Sequence, residues 1–330
     1  MARTRTVNSL LRTLRDWPAS GLDPRVRTAT LFVLVVVVMG GGYVSIRVGV
    51  EAVPPLFLAA LRFYLTAAVL LTVTATTGRV WWPRTRADWA AVATLGVLVF
   101  AAAIGLLFVG QQHTTASGAA VVMCLGPVLT ALFARALLPD ERLTRRQTVG
   151  IAFGLLGAVV VVRPTTASLE VGAGAAPAIA GAGPAIVLCA AASSSLGSVL
   201  LGRLQTSAAP TVQAAWGALL GGLVLHAASV GLGEPVGAVA WTPTLLGLLA
   251  YLSVMVGGVG YVAFLVLLRT VGPTRTSFTS YASPVVAIVL GWLLLHEPLT
   301  AGVAVGFASI VVGFVLLNGV EDVVVAWNAK

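Results

Sequence analysis

The sequence predicts an all-α polytopic membrane protein whose ten transmembrane helices form two inverted five-helix repeats. Three observations carry this prediction. Apolar residues fill 58% of the 330 positions and charged residues only 9%, with a mean hydropathy of +0.99, so water cannot solvate most of the surface. The apolar runs are continuous, without period-two alternation, and close to the roughly 20 residues that cross about 30 Å of hydrocarbon. Backbone polar groups in lipid must be paired internally, which such runs achieve as helices and not as barrel strands. Third, the stretch Thr114 to Thr144 returns as Pro273 to Thr300. Both copies lead through small and hydroxyl residues to a proline (Pro127, Pro284), continue apolar, and close on Glu-x-Leu-Thr (Glu141 to Thr144, Glu297 to Thr300). The closing signatures lie 156 residues apart, a shift that also carries Gly150 onto Gly306 and Gly157 onto Gly313. A period near half the chain length marks a duplicated unit and not a short-repeat solenoid.

Taken in order, residues 1–27 form a basic cytoplasmic tail with six arginines. Leu10, Leu11, Leu14 and Trp17 recur at helical spacing opposite Arg12 and Arg15, which suits either an amphipathic helix lying on the membrane or a disordered tail. The apolar run that follows is span-length and shows no small-x-small cleavage site before further membrane segments, so a cleaved signal is not expected. Hydropathy places spans at 28–48, 54–77, 88–110, 115–138 and 146–163 in a first repeat covering 28–163. A Gly/Ala/Pro-rich linker at 164–179 separates them from spans at 180–201, 209–231, 243–268, 274–295 and 299–318, the second repeat, 180–318. Residues 319–330 close the chain as a short cytoplasmic tail.

The net charge of +9 reports topology and not nucleic-acid binding, because the arginines fall in short loops and tails. With the amino terminus inside, the six tail arginines, Arg79, Arg84, Arg86, Arg142, Arg145, Arg146, Arg203, Arg269, Arg275 and Lys330 face the cytoplasm, while only Arg47 and Arg163 face out. Both termini are therefore expected inside. Five spans being an odd number, the second repeat enters from the opposite side, so Glu141 faces the cytoplasm and Glu297 faces out. Inverted repeats let each half adopt the conformation its partner adopts in mirror sense, giving alternating access around a midplane site. Trp81, Trp82, Trp89, Trp241 and Trp292 stand where an interfacial aromatic belt belongs.

The chain resembles the EamA family of the drug/metabolite transporter superfamily. The residues that carry the resemblance are Leu61-Arg62-Phe63, Thr115-Ala116-Ser117-Gly118-Ala119-Ala120, Pro127 and the close from Leu137 to Thr144. In the second half they are Ser283-Pro284-Val285 and Leu295 to Thr300. The resemblance spans 28–318 and implies ten helices, two EamA repeats, and export or exchange of small metabolites across the inner membrane. Gln111-Gln112-His113, where the family usually has an apolar-aromatic run, and the basic tail depart from the pattern.

Arg62 is the sharpest functional signal. It lies about eight residues into span two, roughly 12 Å deep, where a charge costs on the order of 3 kcal/mol. All eleven acidic residues fall in tails, loops or span boundaries, so only Glu51, by folding back, could neutralise it. An unpaired guanidinium in a cavity suits a carboxylate or phosphate; the alternative is a helix-holding contact with backbone carbonyls. Pro127 and Pro284 free the carbonyls of Met123 and Ser280 and serve as candidate hinges, or as simple bends. Tyr43, Ser45, Ser194, Ser198, Tyr251, Tyr261, Ser280 and Tyr281 are candidate pathway residues, each otherwise a packing residue. Gln111, Gln112 and His113 are candidates for an outer mouth, or a solvated turn. His226 suits a proton shuttle or an interhelical hydrogen bond, and Gly150-x-x-x-Gly154 suits close helix contact.

Cys124 and Cys189 lie in apolar runs without neighbouring ligands, so neither a disulfide nor a metal site is expected, and no cofactor. The expected partners are the bilayer and a small-molecule cargo; a homo-oligomer is compatible. The reading these features support is an inner-membrane carrier of a small polar, carboxylate-bearing metabolite. An exporter of neutral or lipophilic compounds, and a non-transporting membrane enzyme or sensor, stand as alternatives, although no catalytic constellation converges at either interface and no soluble output domain is present.

Overall fold

The computed structural model describes residues 24–76, 81–137, 144–162 and 182–318. The amino-terminal tail with its amphipathic segment, Arg79, Glu141, the linker and the carboxyl-terminal tail lie outside these residues. Ten helical rods run through the described residues. They are α1 Pro24–Ala52, α2 Pro55–Thr76, α3 Arg86–Gln111, α4 Ala116–Leu137 and α5 Arg145–Val162, then α6 Gly183–Arg203, α7 Pro210–Gly231, α8 from Pro243 to Ser277, α9 Thr279–Leu295 and α10 Ala301–Asn318. Seven of them, α1 to α4 and α6 to α8, are long and apolar enough to cross a bilayer; α9 and α10 are shorter apolar helices, and α5 opens on Arg145-Arg146. Gly272, at φ 83° and ψ 172°, breaks the end of α8, so the turn 273–277 leads into α9, where the sequence places the start of span nine.

The breaks and starts follow local chemistry. Pro54-Pro55, Pro210 and Pro243 open helices because a first-turn proline loses no intrahelical bond. Thr85, Thr115 and Thr242 cap α3, α4 and α8 by accepting the N–H of Asp88, Gly118 and Leu245.

Duplication is visible in the backbone itself. The third helix of each half widens into a π-helix, Leu95–Ile104 in α3 and Tyr251–Gly260 in α8, and these stretches are related by the same 156-residue shift. π-helices are rare and cluster at functional sites, so the same ten-residue π stretch at matched positions is a duplicated feature.

The two halves meet through symmetry mates. α5 lies against α10 and α2 against α7, in the two most extensive helix pairs of the molecule. A β-carbon on Gly150 would stand 2.7 Å from the Gly313 carbonyl oxygen, and one on Gly157 would stand 2.6 Å from that of Gly306. Gly150 corresponds to Gly306 and Gly157 to Gly313, so these are one contact seen from each repeat, as a two-fold axis requires. Small residues allow this backbone approach in lipid, where packing and not water exclusion drives association. α5 and α10 run antiparallel, consistent with inversion.

Three acids, one in the first turn of α3 and two in loops, tie one half to the other. Asp88, fully buried, accepts the Arg84 and Thr85 N–H and the Ser207 hydroxyl on Oδ2, and the Ser207 and Ala208 N–H on Oδ1. It thereby fixes the start of α3 to the turn before α7. Glu234 accepts the Leu56 and Phe57 N–H, at 3.1 and 2.9 Å, and the Ser229 hydroxyl, holding the α7–α8 loop on the first turn of α2. Glu297 does the same for α4. Carboxylates at helix starts are stabilised by unpaired N–H groups and the helix dipole. Asp88→Asn leaves donors facing a donor, which costs about 3 kcal/mol. The expected result is a melting midpoint roughly 5 °C lower for the detergent-solubilised protein; an unchanged midpoint would show the clamp to be dispensable.

The exposed rings of Trp81, Trp82 and Trp89 cluster around the half-buried Trp216 indole, whose N–H donates to the Trp81 carbonyl at 2.8 Å. Trp216 was not among the expected belt residues; it joins them because α7 starts beside α3.

Candidate functional site

A cavity of about 740 Å³ lies between the halves. Val35, Met39, Gly42, Tyr43 and Ile46 of α1, Arg62 of α2, and Ile104 and Leu107 of α3 form one wall. Met123, Pro127 and Thr130 of α4, Ser194, Ser195 and Ser198 of α6, Val256 and Phe264 of α8, and Thr279, Ser280 and Ser283 of α9 form the rest. Ala134, Gln147, Phe314 and Leu317 line its wide end, which is the end where α1 starts and α10 finishes, called here the terminal end. The opposite end is sealed by buried Gln111, Thr114 and Glu297, none of which lines the cavity.

Arg62 is the only charged residue among the described lining residues. It is 8% exposed, its Nε is buried without a hydrogen-bond partner, and no ion pair reaches it among the described residues. Glu51 does not fold back: it pairs with Arg47 at 2.9 Å, and its side chain is 60% exposed. The guanidinium lies 5.4 Å from the Phe63 ring centre and 5.8 Å from that of Phe108, an aromatic seat that holds a cation without neutralising it. The backbone of this turn is tied to the π stretch of α8, because the Ser253 hydroxyl donates to the Arg62 carbonyl (3.2 Å) and Thr66 donates to the Ser253 carbonyl (3.4 Å). Thus Arg62 is anchored by its main chain and unpaired at its head.

Half of the hydroxyls around the cavity are spent on the backbone. Ser195 donates to Gly126 O, Ser198 to Ser194 O, Ser283 to Thr279 O and Thr279 to Thr276 O. The hydroxyls of Tyr43, Thr130, Ser194 and Ser280 have no such bond among the described residues, and they share the cavity with Arg62. A cation flanked by free hydroxyls and apolar walls can hold a small anion with polar substituents.

The matched prolines diverge. At Pro127 the helix breaks: α4 stops at Met123 and resumes at Gly126, and Met123, Gly126 and Pro127 all line the cavity. Pro284, itself buried, stays inside a continuous α9, and the Ser280 carbonyl it frees accepts the Cys124 thiol at 3.2 Å. That carbonyl is therefore taken by a neighbouring helix.

Of the sequence candidates, Tyr43, Arg62, Ser194, Ser198, Ser280 and Pro127 meet at the cavity. Ser45 bonds back to Gly41 O, Tyr251 donates to Val38 O, and Tyr261 packs against Leu70, Ala214 and Ala215. Tyr281 lies behind Phe314, ring centres 4.1 Å apart, with its buried hydroxyl unpartnered. His226 sits between Phe57 and Tyr64 on an exposed face. Ser195 and Thr279, polar residues beside Ser194 and Ser280 that the sequence also offers as candidates, line it as well. Thr130, Ser283 and Gln147 join the site without having been singled out as pathway residues; their sequence neighbourhoods resemble any other Ser/Thr-bearing membrane helix.

Gln111 is buried, donating through Nε2 to the Tyr43 carbonyl at 3.1 Å, with Oε1 unpartnered; Gln112 and His113 are half-buried in the turn after it. Burial first, and the Arg47 guanidinium second, hold the His113 imidazole below its usual range. The folded protein therefore resists a proton that the unfolded chain accepts, so stability is full above about pH 6.5 and falls as pH drops below it. A melting series from about pH 7.5 to about pH 5 is expected to show a decline that His113→Gln reduces.

Comparison with known proteins agrees with this architecture. A model of the EamA-like transporter family matches residues 26–163 and again 181–319. The uncharacterized inner membrane transporter YedA of Escherichia coli K12 is 31% identical over 80% of this chain and 81% of its own length. A probable amino-acid metabolite efflux pump of Salmonella typhimurium is 29% identical over 86% of this chain and 92% of its own. A crystal structure 22% identical in sequence superposes with a TM-score of 0.58, covering 88% of this chain and 96% of that one, a likeness of fold. Two family matches that between them cover nearly the whole chain, on a duplicated helical membrane fold with a central cavity, show that the chain belongs to the EamA-like transporter family.

Proposed function

We propose that this protein carries a small carboxylate-bearing metabolite across the cell membrane by alternating access, with the cargo carboxylate held by Arg62. The observation that carries the reading is the unpaired guanidinium on a cavity whose described lining contains no counter-charge. A membrane-buried cation is costly, and a bidentate carboxylate offsets that cost only when cargo is bound. The free hydroxyls of Tyr43, Ser194 and Ser280 suit amino, hydroxyl or carbonyl substituents, and the name of the Salmonella relative points to the same class. The inverted repeats 28–163 and 180–318 supply pseudo-symmetric elements that exchange roles between the two states. The arginine bias puts both termini in the cytoplasm, so the cavity as seen faces inward, the state that loads an exported cargo. No enzymatic step enters this reading.

The test is counterflow in proteoliposomes with a panel of monocarboxylates, their amides and lipophilic amines. Uptake confined to carboxylates supports the proposal. Transport of the amides and amines with equal efficiency would favour a neutral or lipophilic cargo, the reading that the apolar wall of Val35, Met39, Leu107 and Phe264 supports. A reporter fused after Lys330 that is active only outside the cytoplasm would reverse the orientation.

A further inference from the structure

The three acids that bind backbone across the repeats are not equivalent. Asp88 lies at the terminal end and Glu234 at the opposite end of one assembly: α2 against α7, with α3 packed on α7. That assembly is clamped at both of its ends. Glu297 joins different elements, the α9–α10 turn and the first turn of α4, and it does so only at the sealed end of the cavity. Its Oε1 accepts the Ala116 N–H at 2.6 Å, and its Oε2 accepts the Ser117 N–H at 3.1 Å and the Ser117 hydroxyl at 2.5 Å. No cation balances it among the described residues, so these three donors are its whole support.

The surrounding backbone is shaped for this contact. His296 adopts a left-handed conformation, φ 53°, the one non-glycine residue with positive φ among those described. Such a conformation costs about 1 to 2 kcal/mol, and the chain adopts it where it doubles back so that the N–H groups of His296 and Glu297 both close on the Gly291 carbonyl. Gly291 leaves the space the carboxylate occupies: a β-carbon there would stand 2.7 Å from Glu297 Oε2 and 3.0 Å from Ser117 Oγ. The turn is thus bent to bring one carboxylate onto one helix start, at the end of the pathway that is shut.

We propose that Glu297 is the latch that shuts the sealed end of the pathway, and that its release from Ala116 and Ser117 is the opening event there. Asp88 and Glu234 hold the α2–α3–α7 body together in every state; Glu297 is made in one state and broken in the other. The proposal rests on the alternating-access reading but not on the identity of the cargo.

The test needs no substrate. In full-length protein carrying Cys124→Ser and Cys189→Ala, spin labels are placed at Gln112, in the turn before α4, and at Leu299, exposed just past the latch. Distances are then measured by electron–electron resonance in lipid nanodiscs. Glu297→Gln puts an amide NH₂ among donors, and the expected result is a population at longer distance that the unsubstituted protein lacks, with a melting midpoint close to it. Ser117→Ala, which removes one donor and keeps both N–H groups, is expected to give a smaller fraction of the same population. Asp88→Asn lowers the midpoint without adding the long distance. Should the Glu297→Gln and Ser117→Ala distance distributions match that of the unsubstituted protein, or should both variants only lower the midpoint as Asp88→Asn does, Glu297 is a third static clamp and the proposal fails. A lengthened distance in a protein that transports none of the tested cargo classes would keep the latch and reject only the cargo reading.

Discussion

Arg62→Gln is expected to weaken binding of a small carboxylate by at least 30-fold while leaving the protein as stable as before, or more so. The two effects come from one fact, that the guanidinium has neither a hydrogen-bonded Nε nor an acidic partner in the described structure. A charge-assisted pair with a carboxylate contributes roughly 2 to 3 kcal/mol, and each 1.4 kcal/mol is a factor of ten in affinity. The same charge without cargo carries a desolvation cost on the order of 3 kcal/mol, which glutamine relieves. Calorimetric titration and thermal melting of the purified variant together decide the matter. A large drop in melting temperature with affinity unchanged would make Arg62 a structural residue and remove the carboxylate from the proposal. Retained stability with lost affinity is what a binding residue gives, since function there is kept at the expense of stability.

Gly313→Leu is expected to abolish the folded monomer. A β-carbon at this position would come within 2.5 Å of the Gly150 carbonyl oxygen and 2.7 Å of the Gly154 nitrogen. Both are backbone atoms of a packed helix and cannot swing aside. Overpacking at a yielding site costs about 1 to 3 kcal/mol; here the α5–α10 pair must separate, and with it the contact that the pseudo-two-fold makes twice. Size-exclusion chromatography of the solubilised variant should show aggregate where the unsubstituted protein elutes as a single species. Leucine at Gly247, where an added β-carbon meets nothing within 4 Å, is the matched control and should elute normally. A normal profile for Gly313→Leu would mean that α5 and α10 are not held at glycine distance.

Fold class, span order and duplication were legible in the residues because each is a local or additive property. Twenty apolar residues in a row answer to the thickness of a bilayer wherever they occur, and a 156-residue shift can be read by laying one half on the other. The same shift relates the two π stretches and pairs Gly150 with Gly313 and Gly157 with Gly306, so the symmetry inferred from a few positions is built into backbone geometry. Arg62 was legible for a similar reason, since a charge that deep in an apolar helix stands out whatever surrounds it.

Which polar residues share the cavity was decided only by tertiary structure. A helix that faces lipid on one side and packed protein on the other is apolar all round, so no 3.6-residue period marks the inward face. Hence Ser194 and Ser198 reach the cavity while Ser45, Tyr251 and Tyr261 do not, although all five looked alike along the chain. The three acids posed the same problem in another form. Nothing near Asp88, Glu234 or Glu297 in sequence says that each carboxylate binds backbone N–H groups 119 to 181 positions away, before α7 and at the starts of α2 and α4, because the chain at a helix start offers unpaired N–H groups to whichever residue the fold brings there. The chain by itself therefore determined that it is a duplicated, inverted membrane bundle carrying one deep cation. The packing of its halves determined what that cation faces and which end of the pathway is closed, since both depend on contacts between residues that sequence order keeps far apart.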